Sequence, residues 1–367
     1  MKIVFLITRL DYSGGPKMLA WVANQFAKAG HDVFFIAVYS DQIGQPLESN
    51  ISFISLNIRQ SKFRFIRNTF ENIRIQWKLR NILKQINPDL VVGFLYPVDL
   101  FFTLFNSIKK KYKVILSQRF DPYIEHGLTA FVKKIAVQKA NGVVFQTVGA
   151  KNYYNISKIE KHTIIYNPVT SRTLKYIKEV EKFEKRKNII VLPGRLDVHQ
   201  KRQDVMVKAY EIIHKKHPDV QLVLLGNGPD KKLLENLIQE KNLDSFIQIH
   251  PAIPTAEEYT KDCKIVCMTS DYEGMPNTLI EAMAIGINIV ATDCRPGGAK
   301  ALVNDGYNGF IVPCGDYQAL AKKISYLLDH PNISDTLANE SKKIASQLAE
   351  EKIACQWIEF AKNVFDK

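Results

Sequence analysis

Short apolar runs alternate with amphipathic helical stretches along this chain, and the alternation restarts halfway. "KIVFLIT" (2–8) reads as a buried parallel strand. After the turn "RLDYSGGP", "KMLAWVANQFAKAG" (17–30) carries Leu19, Val22, Ala23 and Phe26 at helical spacing, with Gly30 as a C-terminal stop. "HDVFFIAVY" (31–39) is the next strand, which completes a β-turn-α-β unit. Runs at 89–95, 113–119 and 142–147 continue the pattern. The second series begins at "NIIVLPGRL" (188–196) and continues at 221–226, 247–250, 264–270, 287–293 and 309–313. Strands alternating with helices predict a parallel sheet covered on both faces. Two such series predict an α/β protein of two doubly wound, Rossmann-like domains facing each other across a cleft, with ligands at the carboxyl ends of the strands. The expected division is a first domain over 1–167, a charged linker over 168–187, a second domain over 188–350 and a terminal segment over 351–367.

The 367 residues, 46% apolar and 24% charged, can fill two cores and exclude a disordered chain. The N-terminus alternates like a strand and lacks the apolar core and cleavage site of a signal peptide. The most apolar window, 90–105, is interrupted by Pro97 and Asp99 and falls short of a membrane span. A cytoplasmic location is therefore expected. Cys263 and Cys267 have no second Cys/His pair at zinc spacing, so the cysteines read as buried thiols and no metal is expected. Charge is uneven. Residues 1–167 hold 23 Lys+Arg against 10 Asp+Glu, whereas 168–367 hold 27 of each. The densest basic stretch, 58–87, has eight basic residues and one acid, interleaved with Phe63, Phe65, Phe70 and Trp77. That pattern suits an anionic lipid surface. It also suits nucleic acid, or a solvated helix whose aromatics face the core. The expected partner is an anionic membrane surface, on the inner face of the cell membrane, and not nucleic acid.

Three clusters carry candidate chemistry. In "DYEGMPNTLIEAMAIG" (271–286), Glu273 lies at a strand's carboxyl end and Glu281 inside the following helix. Pro276 fits the first helical turn, and Gly286 ends the helix. The amides near Gly274, Met275, Asn277 and Thr278 make an anion-binding end. A phosphate there, with carboxylates on neighbouring hydroxyls, suits a sugar joined to a nucleotide through a diphosphate. A surface acid and a helix acid without ligand fit the spacing equally. In "VLPGRLDVHQKRQDVMVKAY" (191–210), Arg195 follows a strand and Lys201 precedes a helix. Two cations so placed can clamp a diphosphate, Arg as a fork and Lys as a point charge, although a solvated basic loop has the same composition. No D-x-D pair for a metal occurs. In "YSGGPKML" (12–19), Gly14 and Gly15 permit close backbone approach to a ligand, or simply a tight turn.

Four stretches, "GGPKMLAWVANQFAKAGHDV", "GRLDVHQKRQD", "EGMPNTLIEAMAIG" and "DGYNGFIVP", resemble successive landmarks of the family-four retaining glycosyltransferases, which have the glycosyltransferase-B fold. The resemblance extends over most of the chain, and the E-x7-E pair Glu273 and Glu281 is its most specific part. "TDCRPGGAKALV" (292–303) is similar to a donor-binding loop, and "SQRFDP" (117–122) and "VFQT" (144–147) resemble a branch that assembles bacterial surface polysaccharides on lipid carriers. The resemblance implies transfer of a hexose or N-acetylhexosamine from a nucleotide-sugar donor, with uridine as base, to a lipid-linked saccharide acceptor. It implies retention of configuration and no cofactor or metal. Arg195 and Lys201 would bind the diphosphate, Glu273 the transferred sugar and Glu281 the ribose. Gly14 and Gly15 would approach the phosphates, and a C-terminal helix around 355–365 would pack back on the first domain.

Three departures stand out. Arg202 follows Lys201 where the family usually has Gly, the Arg-to-Lys loop is one residue longer, and no His occupies the loop near Ser117. Arg119 and Asp121 are the acceptor-side candidates there. A nucleotide-sugar epimerase of the same fold, or a non-catalytic sugar- or nucleotide-binding module, remain the alternatives.

Overall fold

The computed structural model describes all residues except 12–13, 40–42, 59–70, 95–98, 100–101, 107–110, 254 and 367. The chain divides into two compact units, one of residues 1–166 with 351–367, the other of 167–350.

The first unit holds a seven-stranded sheet: β1 (Lys2–Ile7), β2 (Asp32–Ala37), β3 (Ser52–Ser55), β4 (Leu90–Gly93), β5 (Lys113–Gln118), β6 (Gly142–Phe145) and β7 (His162–Ile164). Their spatial order is β3-β2-β1-β4-β5-β6-β7, with every pairing parallel. The central strands are near-continuous apolar runs because both faces are covered; Ile3 to Ile7 are all buried. One face takes α1 (Gly14–Lys28), whose Leu19, Val22, Ala23 and Phe26 point inward, with Phe26 edge-on to Phe5 at 5.7 Å. Gly30, at φ +79°, stops the chain from continuing as helix. Trp357, fully buried on the C-terminal helix Glu350–Phe365, stacks on Phe94 at 6.1 Å. The other face takes α2 (Asn72–Ile86) and α3 (Gly127–Lys139). Ile75, Leu79 and Leu83 of α2 and Ala136 and Val137 of α3 share one core with Val4, Leu6, Val91, Val114 and Phe145.

The second unit holds β8 (Lys187–Pro193), β9 (Gln221–Leu225), β10 (Ile247–His250), β11 (Cys263–Met268), β12 (Asn288–Thr292) and β13 (Phe310–Val312). Their order is β10-β9-β8-β11-β12-β13, again all parallel. Both sheets therefore have Rossmann order, reversing direction beside their first strand. In this unit the reversal lies between β8 and β11. The helices that matter below are α4 (Gln203–Lys216) and α5 (Asn277–Ile285).

Two strands, β3 and β7, are additional to those expected. They have four and three residues, and β3 and β7 form the two edges of their sheet. The segment read as a linker, 168–187, is instead packed onto the second unit. Phe183 is fully buried in its core, its amide donates to Asp335 Oδ1 at 2.9 Å, and Thr173 Oγ1 donates to the buried Glu257 at 2.7 Å. Its Lys and Glu residues face outward and give it a linker's composition. Among the described residues no helix is long and apolar enough to cross a membrane.

Candidate functional site

β8 ends at Pro193, and Gly194 follows at φ +151°. A Cβ on Gly194 would meet Lys201 Cε at 3.5 Å, an ordinary contact, so it is the backbone conformation that calls for glycine here. Between them the loop folds around Asp197. Its Oδ1 accepts from the amides of His199 and Gln200, both at 3.2 Å, and its carbonyl accepts from the Lys201 amide at 2.7 Å. Such self-bonding is what Asp offers a turn. Arg195 contacts Asp197 and Gln200 and stays largely exposed, at 59% of its side-chain surface.

β11 leads into the loop 269–276. The loop reaches the same edge of the sheet because β11 is the direct neighbour of β8. Thr269 Oγ1 donates to the Lys201 carbonyl at 2.7 Å, and the Asp271 amide to the Gln200 carbonyl at 2.9 Å. Glu273 receives the Lys201 ammonium and, at 2.8 Å, the Ser270 hydroxyl on the same oxygen, Oε1. The two charged side chains are 22% and 12% exposed. The Glu273 amide is tied to the Arg295 carbonyl at 2.8 Å. Cys294 is 1% exposed, and burial, aided by Glu273, pushes its thiol above its ordinary range, so it offers no nucleophile.

Gly274 is half-buried and Met275 buried. Pro276 occupies the N-cap of α5, with φ −76° and ψ 104°, one position before the expected first turn. Buried Asn167 fixes this helix start by donating to Asn277 Oδ1 at 2.6 Å and to the Met275 carbonyl at 3.4 Å. The Pro276 carbonyl takes the amides of Leu279 and Ile280, at 3.2 and 3.3 Å. Those of Asn277 and Thr278 have no acceptor among the described residues and remain open to an anion. Leu279, Ile280 and Met283 are buried, and Gly286 ends the helix at φ +87°. Glu281, half-buried, is the helix's fifth residue.

Arg195, Lys201, Glu273 and 274–278 thus gather where the strand order reverses. Glu281 lies just inside α5, and the remaining candidates belong to the first unit. Gly14 and Gly15 are the first residues of α1. Arg119 is 8% exposed, its guanidinium 4.1 Å over the Phe94 ring and 5.6 Å from the Trp357 ring, an arrangement that helps hold the C-terminal helix. Asp121, 1% exposed, caps a short turn by accepting from the Tyr123 amide at 3.0 Å. Sequence reasoning missed Ser270 and Asp271. It also missed Gly226, where a Cβ would fall 1.9 Å from the Gly194 carbonyl oxygen. The "GNGPD" run (226–230) after a strand was the available signal. Among the described residues no group of His, Cys, Asp and Glu could hold a metal ion.

Two parallel Rossmann-type sheets, one of them with cations, a carboxylate and a helix N-terminus at its switch point, define the glycosyltransferase-B class. Residues 175–344, a little under half of the chain, match the family described as glycosyl transferases group 1, which supports a glycosyltransferase. An "uncharacterized glycosyltransferase" of Haemophilus influenzae is 26% identical over 97% of this chain and 98% of its own length. A Campylobacter jejuni relative is 25% identical over 99% of both chains; its name describes an α-1,4-N-acetyl-D-galactosaminyltransferase acting on a diphospho-undecaprenol-linked GalNAc disaccharide on N,N′-diacetylbacillosamine. In fold, sucrose-phosphate synthase from Thermosynechococcus elongatus superposes with a TM-score of 0.81 at 18% identity, covering 100% of this chain and 99% of that one. Anabaena HepE, solved with UDP, gives 0.76 at 18% identity, covering 99% and 100%.

Proposed function

We propose that this glycosyltransferase moves a hexose or N-acetylhexosamine from a uridine-diphosphate sugar to a lipid-diphosphate-linked saccharide, with retention, in bacterial surface-glycan assembly. The observation that carries the reading is the set Arg195, Lys201, Glu273 and the open Asn277 and Thr278 amides at one strand-order reversal. The Campylobacter relative's named acceptor and the UDP in the Anabaena structure support the acceptor and base.

In this reading the diphosphate lies on the two cations and the α5 amides, which stabilise the charge it gains as the C1–oxygen bond breaks. The cations and dipoles do the work that a divalent ion does elsewhere, so no cofactor is needed. Glu273 accepts from sugar hydroxyls and Glu281 from the ribose. The acceptor oxygen bonds to C1 on the face the diphosphate leaves, and its proton passes to a donor phosphate oxygen. The protein works from the cytoplasmic side of an anionic membrane. The outward row of α2 supports this: Ile73 and Trp77, one turn apart, are 68% and 65% exposed, and Arg80 covers Phe105 at 4.7 Å. Trp77 therefore does not face the core. Phe63, Phe65 and Phe70 lie outside the described residues.

A screen of nucleotide sugars against lipid-diphosphate saccharides, with product linkage read by NMR, tests the proposal. Transfer with the donor's anomeric configuration is expected. Isomerisation of the sugar nucleotide without acceptor would make the protein an epimerase, and tight donor binding without transfer a binding module.

A further inference from the structure

The loops after β8 and β11 meet through a residue that the roles above leave unused. Arg202, directly after Lys201, has φ +52° and ψ 44°, a left-handed conformation that favours glycine. Its side chain spans two acids. Nε and Nη2 donate to the two oxygens of Asp204, on the first turn of α4, at 3.1 and 3.3 Å. Nη1 donates to Asp271 Oδ2 at 2.8 Å, across to the β11 loop. Lys could not make the same fork. These hydrogen bonds, that of Asp204 first and then that of Asp271, push the guanidinium pKa further upward. With both charges of the acid pair against it, Arg202 is not a third cation for a phosphate.

Its neighbours show what the contact fastens. On one loop Gln200 and Lys201 present their carbonyls to the Asp271 amide and the Thr269 hydroxyl of the other. Gln200 Nε2 donates back to the Tyr272 carbonyl at 3.3 Å. Arg202–Asp271 is a charged contact across this seam, next to the Lys201–Glu273 pair. It lies one residue beyond Lys201 and two before Glu273.

We propose that Arg202 is a positioning residue whose pairing with Asp271 locks the 195–202 loop to the 269–273 loop, fixing the Lys201 ammonium against the Glu273 carboxylate for the donor. The inference rests on the donor-site reading above. The Asp204 contact, by contrast, stays within the start of α4 and does not reach the β11 loop.

Hydrogen exchange on the ligand-free protein and steady-state kinetics test it together, with melting curves to confirm folding. Asp271→Asn and Arg202→Lys should each speed amide exchange across 269–273 several-fold. They should lower kcat at least about tenfold, since small misplacements near the reacting atoms are costly, while donor KM moves less than about threefold. Asp204→Asn should leave both readouts near wild type. If Asp271→Asn does not fold, Arg202→Lys alone carries the test. Unchanged exchange in the folded variants, or faster exchange with wild-type kcat, overturns the proposal. A wild-type protein that turns over no sugar nucleotide fails the donor-site reading instead, and the exchange comparison still decides whether the loops are locked.

Discussion

Lys201 is paired with Glu273, and a diphosphate bound as proposed would have to compete for it. The ion pair is mostly shielded from water, so the competition is between two close, poorly screened anions. In the proposed reaction the leaving diphosphate would gain negative charge in the transition state, which would shift that competition towards it. Lys201→Ala and Arg195→Ala should each lower turnover at least about a hundredfold, the usual loss for one preorganised charge stabiliser. Rates within a few-fold of wild type for either would remove its leaving-group role. Arg195 and Glu273 stood out in the sequence as charged residues after apolar strand runs, and Lys201 as one just before a helix. Their partnership did not. Lys201 and Glu273 are 72 positions apart, and only the adjacency of β8 and β11 brings them together. Arg119 also stands after a strand, and its burial against two aromatic rings was invisible without the fold.

At the scale of elements, the donor-side loops are stacked as bare backbone. A Cβ on Gly298 would sit 1.8 Å from the Gly274 carbonyl oxygen, and one on Gly228 would sit 2.1 Å from that of Leu196. Because the obstacle is backbone and not the flexible end of a side chain, a methyl group can be admitted only by moving a loop. Gly298→Ala should cost about 1–3 kcal/mol of stability, the range for overpacking, and should also raise donor KM because the displaced partner is Gly274, at the mouth of α5. Thermal denaturation and donor titration check the two effects; an alanine variant with unchanged melting and unchanged donor affinity would mean that the loops are not in contact. The sequence exposed long elements well. The helices ending at Gly30 and Gly286 follow from their apolar spacing and left-handed stops. The edge strands β3 and β7 did not show because "SFIS" and "HTI" mix polar with apolar residues and bury none of them, whereas the equally short edge strand β13, "FIV", is wholly apolar; 168–187 looked like a tether because its few anchors, Val169, Thr173 and Phe183 among them, are scattered through exposed Lys and Glu.

Across the whole molecule, the excess positive charge lies in residues 1–167, while the rest of the chain is neutral. The same region leaves large apolar side chains in water: Ile73 and Trp77 on α2, Leu128 and Phe131 on α3, the last two 76% and 60% exposed. α2 and α3 bury their inner faces in one core against the same side of the sheet, so their outer faces form one aspect of the first unit. Positive charge with protruding apolar side chains matches a negatively charged bilayer, where each Lys or Arg near the surface contributes about 1 kcal/mol and salt screens it within about a nanometre. Vesicles rich in phosphatidylglycerol should bind the protein at low ionic strength and release it as salt rises, and neutral phosphatidylcholine vesicles should bind it far less. Trp77 is the most exposed of the three tryptophans, with Trp357 buried and Trp21 half-buried, and a Trp21→Phe background makes it the reporter. Its fluorescence should shift to the blue on binding, and Trp77→Ala with Ile73→Ala should weaken co-sedimentation. If the protein stays in the supernatant with anionic vesicles at low salt, the basic stretch is only a solvated face, and a lipid-linked acceptor would have to be met without help from the bilayer.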